Sequence, residues 1–191
     1  MPLSMPRRRL PAPLLRFGRD QNGSITIESV IFLPILIWVV LMTFVFFDIF
    51  RTENTNAKAA YAVADVLSRQ ILPVNAAYLD GLGEVYARLA RARHPTFLRT
   101  SSVDFDFATN AYRLRWSYGT DGAEPLTQEK LNLIAHRLPE LSVGETVILV
   151  ETVLDYEPVL DMGVGARTLG HIIPTRPRFA PRLLFNDGGM G

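Results

Sequence analysis

Glu28 is the residue in this chain whose type and position point most directly to chemistry. It precedes an uncharged apolar run, Ser29 to Phe47, and it lies five residues after Gly23. An ionisable residue at the edge of such a run is costly to place in a membrane, and this favours a functional role. The alternative is that Glu28 lies among lipid headgroups and stabilises the helix N-terminus through the helix macrodipole. The carboxylate alone leaves both interpretations open.

The other titratable residues do not form a catalytic or metal-binding pattern. His94, His136 and His171 are far apart in the sequence and lack the spacing of metal ligands. The sequence contains no Gly-x-Ser-x-Gly, no Walker loop and no His-Glu-x-x-His. It also contains no cysteine, which excludes disulfides and thiolate metal sites. We therefore expect a protein that is not an enzyme and that holds no cofactor and no metal.

The apolar run after Glu28 has the length and composition of a membrane span. Its 19 residues would form a helix about 28 Å long, close to the roughly 30 Å hydrocarbon core of a bilayer. Aromatic residues such as Trp38 and Phe47 are frequent in it, and only Ser29, Pro34 and Thr43 interrupt it. A buried core helix of this length would show a polar stripe. The run therefore predicts a transmembrane helix.

The charges on either side of the run predict its orientation. Residues 1–23 carry five arginines and one acid, a net charge of +4. Since the net charge of the whole chain is +1, the rest of the chain carries about −3. By the positive-inside rule the N-terminus should stay in the cytoplasm and the chain beyond Arg51 should be exported. No basic face for nucleic acid is evident. A cleaved secretory signal is disfavoured, because the run is longer than such segments and ends without a small-residue site.

The pattern around Gly23 and Glu28 resembles a known processing site. A basic stretch, a glycine, a glutamate at the fifth position after it and about twenty apolar residues are typical of type IV prepilins. Over a longer stretch the chain resembles the TadE-like family (TadE and TadF), minor pseudopilins of the tight-adherence (Flp pilus) system. The matching residues are Arg16-Phe17, Arg19-Asp20, Ile27-Glu28-Ser29 and Leu33-Pro34, and more loosely Val150-Glu151, Tyr156-Glu157-Pro158 and Arg176-Pro177-Arg178.

This resemblance implies roles for three residues. Gly23 would be the last residue of a leader, and a membrane prepilin peptidase would cut before Ser24. Glu28 would then be the fifth residue of the mature chain and would pair with the free amine of a neighbouring subunit, which sets the assembly register. The implied partners are the inner-membrane bilayer, the prepilin peptidase, other pilins or pseudopilins and the Tad assembly platform.

Periodicity beyond the run predicts an α+β fold, and the resemblance implies a pilin-like arrangement of it. We expect one helix from about residue 26 to 71, with an apolar face made by Ala57, Ala60, Tyr61, Ala64 and Leu67. Further helices are expected at 76–93 and 128–138, the second capped by Thr127. A strand at 145–156 with apolar residues on both faces should be central, and a last strand is expected at 167–173.

Four segments are expected. The resemblance implies that residues 1–23 form a basic leader that is cleaved. Residues 24–72 are expected to form the transmembrane and stem helix, 73–183 an extracytoplasmic α+β domain with a small antiparallel sheet, and 184–191 a flexible tail.

A hairpin between residues 103 and 116 has the clearest alternation in the chain. A two-residue turn at Thr109-Asn110 would oppose Phe107 to Tyr112 and Phe105 to Leu114 on one face. On the other face it would oppose two acids to two arginines. Asp104 and Asp106 are therefore predicted to form a salt-bridged surface and not a metal or catalytic site. The predicted pairs of that face are Asp106 with Arg113 and Asp104 with Arg115.

Three arginines near the end of the second helix allow two interpretations. Arg88, Arg91 and Arg93 could bind a partner or a phosphate. They could instead form a solvated helix C-terminus that compensates the dipole, which we favour.

Three hypotheses on function follow. The first is a structural component of a pilus-like machine, processed after Gly23. The second is an unprocessed single-pass anchor that carries a periplasmic binding or scaffold domain. The third and weakest is an exported enzyme with an unrecognised site.

Overall fold

The computed structural model describes residues 22–160 and 162–187, with side chains from Ile27 onward. The predicted leader up to residue 21 and the end of the predicted tail lie outside these residues. The chain divides into two compact units, Met1–Phe44 and Val45–Gly191. The secondary structure in chain order is α1 (Asn22–Ser68), α2 (Ala76–Leu89), β1 (Thr96–Asp106), β2 (Ala111–Gly119), α3 (Gln128–Ile134), a 3₁₀ turn (Ala135–Arg137), β3 (Thr146–Tyr156) and β4 (Arg167–Thr175). This is the expected α+β class.

The first unit is described as a single apolar helix, the N-terminal part of α1. All of its side chains from Ile27 to Val40 are exposed. α1 contains a window of 18 residues that is long and apolar enough to cross a membrane, and 6% of that window is buried. Because a core helix of a soluble protein would be mostly covered, this exposure agrees with the expected span. Pro34 lies inside α1 without ending it.

The second unit is built on a four-stranded antiparallel sheet in the order β2-β1-β3-β4. β3 is central, as its two apolar faces predicted. On one face Ile148, Val150 and Leu154 belong to the larger core, and on the other Val147 and Leu149 belong to a smaller one. The smaller core is closed by Leu131 and Leu138, from α3 and the segment just after it.

The C-terminal part of α1 covers the first face of the sheet. Ala60, Ala64 and Leu67 are buried there, as predicted, together with Leu79 and Tyr86 of α2. The predicted face was wrong at Tyr61, which is 63% exposed. At 100° per residue Tyr61 points well away from the line through positions 60, 64 and 67.

The hairpin of β1 and β2 has a different register from the predicted one. Phe105 opposes Tyr112 and Asp104 opposes Arg113, so the pairing is shifted by two residues. The connection is the four-residue segment 107–110, in which Asp106 Oδ1 accepts a hydrogen bond from the backbone N–H of Ala108 at 2.9 Å. Four-residue loops tolerate Thr109, whereas a two-residue primed turn requires positive φ there. The shift by two keeps Phe105, Tyr112 and Leu114 together on one face, where they pack against the smaller core. A bulge between Ser102 and Val103 changes the register again, so that Trp116 packs against the larger core on the opposite face.

In the shifted register Asp104 binds both Arg113 and Arg115. Its carboxylate accepts hydrogen bonds from Arg113 Nε and Nη2, both at 3.0 Å, and from Arg115 Nε at 2.5 Å. The predicted pair of Asp106 with Arg113 was therefore wrong, because Asp106 caps its own turn. Burial alone would raise the pKa of Asp104, but the two arginines outweigh it and hold that pKa below its ordinary value.

The helix ends in this unit are set by local capping. α2 ends at Leu89, four residues earlier than expected, because Arg91 takes a left-handed conformation with φ 54°. The backbone N–H groups of Arg91 and Ala92 donate to the carbonyls of Arg88 and Ala87, which is a Schellman motif. Thr127 caps α3 as predicted, with its hydroxyl 3.3 Å from the Lys130 N–H.

The segment after β4 returns to the beginning of the domain. The Val74 N–H donates to the carbonyl of Leu184 and the Asn186 N–H donates to the carbonyl of Val74. Phe185 stacks on Trp116, with ring centroids 5.2 Å apart. The tail from residue 184 was predicted to be flexible, but up to Asn186 it is attached to the domain by these contacts.

The hairpin geometry predicts an acid-dependent stability. An Asp104→Asn substitution should lower the free energy of unfolding at pH 7 by about 1–2 kcal/mol, because charge-assisted bonds to two half-exposed arginines are lost. The pKa of Asp104 is lower in the folded state than in the unfolded state. The ionised carboxylate therefore stabilises the fold above the unfolded-state pKa of about 3.9, and this stabilisation is lost as the pH falls through the folded-state pKa. The difference between the two proteins should therefore shrink below pH 4.

This prediction is checked by urea unfolding of the full chain in a non-ionic detergent, followed by tryptophan fluorescence at several pH values. Asp121→Asn is the matched control, since Asp121 is exposed and its φ of 53° suits asparagine equally well. A difference between the Asp104 variant and the original protein that is the same at pH 7 and pH 3 would contradict the prediction.

Candidate functional site

The expected cleavage site lies at the N-terminal end of the described part of α1. Gly23 and Ser24 are helical within the described range Asn22–Ser68, which already includes residues ahead of the expected start near 26.

Glu28 is exposed on α1 and belongs to the seventh position of the helix. No described residue forms an ion pair or hydrogen bond with its carboxylate. The first turn of the helix contains no acidic residue, and the macrodipole acts mainly within that turn. Dipole compensation therefore explains Glu28 poorly in this helix. If the chain began at Ser24, the carboxylate would instead lie one turn from a free amine.

The apolar side chains from Val30 to Val40 are all exposed, whereas Val45 near the end of the run is buried. Val30 is 67% exposed, Trp38 51% and Phe47 70%. Ser29 and Pro34 are exposed on the same helix. The hydroxyl of Thr43 donates to the carbonyl of Val39 at 2.8 Å, which satisfies this polar group without water. The surface suits lipid, or the apolar helices of other subunits.

A buried polar cluster joins α1 to α2 and the sheet. Asn56 is fully buried; its Oδ1 accepts a hydrogen bond from Tyr86 Oη at 2.5 Å and its Nδ2 donates to the carbonyl of Leu169 at 3.3 Å. Burial raises the pKa of Tyr86 to about 12, so its hydroxyl stays protonated and donates. Nearby, Glu53 Oε1 lies 3.4 Å from His171 Nε2. This cluster contains no activated nucleophile, and its geometry is that of an attachment between elements.

Asn56 is not among the residues predicted from the sequence, although the sequence contains a signal for it. Asn56 precedes Ala60 by four residues and Leu67 by eleven, so helical periodicity places it on the buried face. A polar residue at such a position requires a partner, and Tyr86 is the partner. Its identity depended on the tertiary structure.

A second buried polar pair lies on the opposite face of the sheet. Arg99 of β1 and Glu151 of β3 are direct cross-strand neighbours and form a bidentate ion pair with both N···O distances at 2.7 Å. The hydrogen bond to Glu151 raises the pKa of Arg99 further above its ordinary value. Arg99 also donates to the carbonyl of Glu124. This arrangement fixes the loop before α3 to the sheet.

The three histidines remain separate from one another. His136 is exposed, His94 lies 3.8 Å from Glu157, and His171 faces Glu53. Across residues 22–160 and 162–187 there is no group of three or more His, Asp or Glu side chains arranged to hold a metal ion.

The polar cluster around Asn56 predicts a cost for its removal. Asn56→Leu should destabilise the α+β domain by about 1–3 kcal/mol, because the Tyr86 hydroxyl and the Leu169 carbonyl lose their partner while buried. Asn54→Leu, two residues earlier on the exposed side of α1, is the matched control and should change stability little. Thermal unfolding of both variants in detergent gives the measurement. Equal stability of the two variants would show that Asn56 does not attach α1 to the domain.

Comparison of the chain with protein-family models, with curated proteins and with solved structures gives no match.

Proposed function

We propose that this protein is a minor pseudopilin of the TadE-like group. It would be an assembly component of a Flp-type pilus, or of a related pilus-like secretion machine, and its role would be structural and not enzymatic. The observation that carries the proposal is the position of Glu28, which is exposed and has no ionic partner among the described residues. It lies one residue ahead of the uncharged apolar run and five after Gly23. The basic leader and the resemblance to prepilins support it.

The proposed topology follows from the charges and the helix. The basic N-terminus stays in the cytoplasm, the run from Ser29 to Phe47 crosses the inner membrane once, and the α+β domain lies in the periplasm. The exposed apolar side chains of α1 support this topology, since they require either lipid or partner helices around them.

The proposed mechanism uses the same surface twice. Before assembly, the apolar side chains of α1 contact lipid tails. A prepilin peptidase removes residues 1–23, and the helix then moves into a bundle of subunits, where its side chains contact other apolar helices. Both environments are similarly apolar, so this exchange costs little hydrophobic free energy.

The register of that bundle would be set by Glu28. Two unit charges 4 Å apart attract by about 1 kcal/mol in water, but by about 4 kcal/mol at an effective dielectric constant of 20. Pairing with the Ser24 amine of a neighbour therefore favours one axial position. A subunit out of register leaves a charge unpaired in an apolar environment, which is strongly unfavourable.

N-terminal sequencing of the protein from membranes of its native bacterium tests the processing step. The expected first residue is Ser24. A Gly23→Leu variant should retain the leader, because a bulky side chain then occupies the position next to the cleaved bond. If the N-terminus is intact in cells with an active prepilin peptidase, the protein is an unprocessed single-pass anchor with a periplasmic domain, and the proposal fails.

Substitution of Glu28 tests the assembly step separately. Glu28→Ala should leave insertion and cleavage intact but reduce incorporation into sheared filaments about tenfold or more, because the register-setting attraction is lost. Thr43→Ala is the control; it removes a polar group that bonds only to its own helix and should incorporate normally. Normal incorporation of the Glu28 variant would remove the main argument for an assembly role.

A further inference from the structure

A polar cleft opens on the α+β domain close to the start of its part of α1. Its volume is about 160 Å³. It is lined by three segments, which are the α1 residues around Asp48 and Arg51, the stretch Ala90–His94 after α2, and Leu154–Glu157 at the end of β3. The cleft is smaller than the 300–1,000 Å³ typical of sites for drug-sized ligands, so it suits a small polar group.

Three arginines face this cleft with no partner in the described chain. The guanidinium groups of Arg51, Arg91 and Arg93 form no hydrogen bond or ion pair with residues 22–160 or 162–187. Elsewhere in the domain, arginines such as Arg99 and Arg113 have carboxylate partners. The left-handed turn at Arg91 ends α2 early and leads Arg91 and Arg93 along the cleft instead of around the helix.

Three carboxylates line the same cleft without meeting these arginines. Asp48 accepts a hydrogen bond from Tyr156 Oη at 2.9 Å, and Glu157 lies 3.8 Å from His94. Asp155 accepts from the Thr168 hydroxyl at 3.0 Å. Their hydrogen-bond donors from tyrosine and threonine are uncharged, so the negative charges of Asp48 and Asp155 are not neutralised by these bonds. The cleft therefore presents separate positive and negative groups whose formal charges cancel.

The position of the cleft along the chain places it next to the predicted bilayer surface. Arg51 follows Phe47, the last residue of the uncharged run, by four residues on the same helix. At 1.5 Å per residue this is about 6 Å along the helix axis. The hydrocarbon core of a bilayer is roughly 30 Å thick, and the core with both headgroup layers is roughly 40–45 Å thick. One headgroup layer is therefore about as thick as the distance from Phe47 to Arg51.

We propose that this cleft binds the headgroup of a phospholipid that carries both a phosphate and a primary amine, as in phosphatidylethanolamine. Guanidinium groups of Arg51, Arg91 and Arg93 bind the phosphate oxygens, which match the planar fork of arginine. The ammonium group donates to the carboxylates that line the same cleft, Asp48, Asp155 and Glu157. A purely anionic headgroup would satisfy the arginines but would face three carboxylates. The proposal rests on the membrane span of the proposed function, and it is independent of leader cleavage and of pilus assembly.

Native mass spectrometry of the full chain tests this proposal. The protein is inserted into nanodiscs made of equal parts of phosphatidylethanolamine, phosphatidylglycerol and phosphatidylcholine, and the lipids that remain bound after release are identified. We expect one phosphatidylethanolamine per chain. The double variant Arg91→Gln/Arg93→Gln should retain it at least tenfold less. Arg88→Gln is the matched control, because Arg88 is on the last turn of α2 outside the cleft, with 83% of its side chain exposed.

The possible outcomes distinguish a lipid phosphate from free phosphate, and they distinguish failure of the cleft proposal from failure of the proposed membrane span. Loss of the lipid on addition of inorganic phosphate would identify a free-phosphate site and overturn the proposal. Equal retention of the three lipids, retention of phosphatidylglycerol in preference, or equal retention by the double variant and the Arg88 control would also overturn it. A chain that inserts into nanodiscs but binds no lipid refutes the cleft alone, whereas a chain that does not insert refutes the span on which both proposals depend.

Discussion

The α+β domain depends on the packing of the alanine-rich part of α1 into the larger core. Ala60 and Ala64 are almost completely buried there, in one cluster with residues of β3 and α2. Without this contact, Ile148, Val150 and Tyr86 would be exposed to water. Each such side chain contributes about 1.5–3 kcal/mol when it is buried. The helix therefore completes the domain core as well as continuing from the apolar run.

Polar contacts give this packing a single arrangement. The hydrogen bonds of Asn56 to Tyr86 and Leu169 can form only at one rotation and one axial position of α1, whereas alanine contacts alone would tolerate sliding. On the other face of the sheet, the bidentate contact of Arg99 with Glu151 fixes β1 against β3. Arg99 also donates to the Glu124 carbonyl, which holds the loop before α3. Because these groups are buried, the loss of one partner costs more than the intact pair contributes.

Charge is distributed unevenly along α1, and this is consistent with two different environments. From Ser29 to Phe47 there is no ionisable residue, and Glu28 precedes this run alone. From Asp48 onward charged residues of both signs return, and several of them line the cleft next to α2 and β3. The proposed functions place both groups of charges at the ends of the apolar run. Glu28 would act in contacts between subunits, and the cleft would act in contact with lipid headgroups.

The sequence by itself determined the features that depend on composition and local periodicity. The apolar run, the α+β class, the central position of β3, the Thr127 cap and the acid–base face of the hairpin all follow from residue patterns within about twenty positions. Such patterns are strong because helices and strands repeat every 3.6 and 2 residues. The proposed roles of Gly23, Ser24 and Glu28 also come from the sequence.

Only the tertiary structure decided the features in which distant residues compete for the same partner. The sequence predicted Asp104 to pair with Arg115 alone, and the register set by the four-residue loop gave it Arg113 as well. The sequence assigned Arg91 and Arg93 to the last turn of a helix, and a Schellman motif directed them into a cleft with Arg51. Turn geometry shifts register and direction by one or two residues at small cost, so no local pattern fixes it.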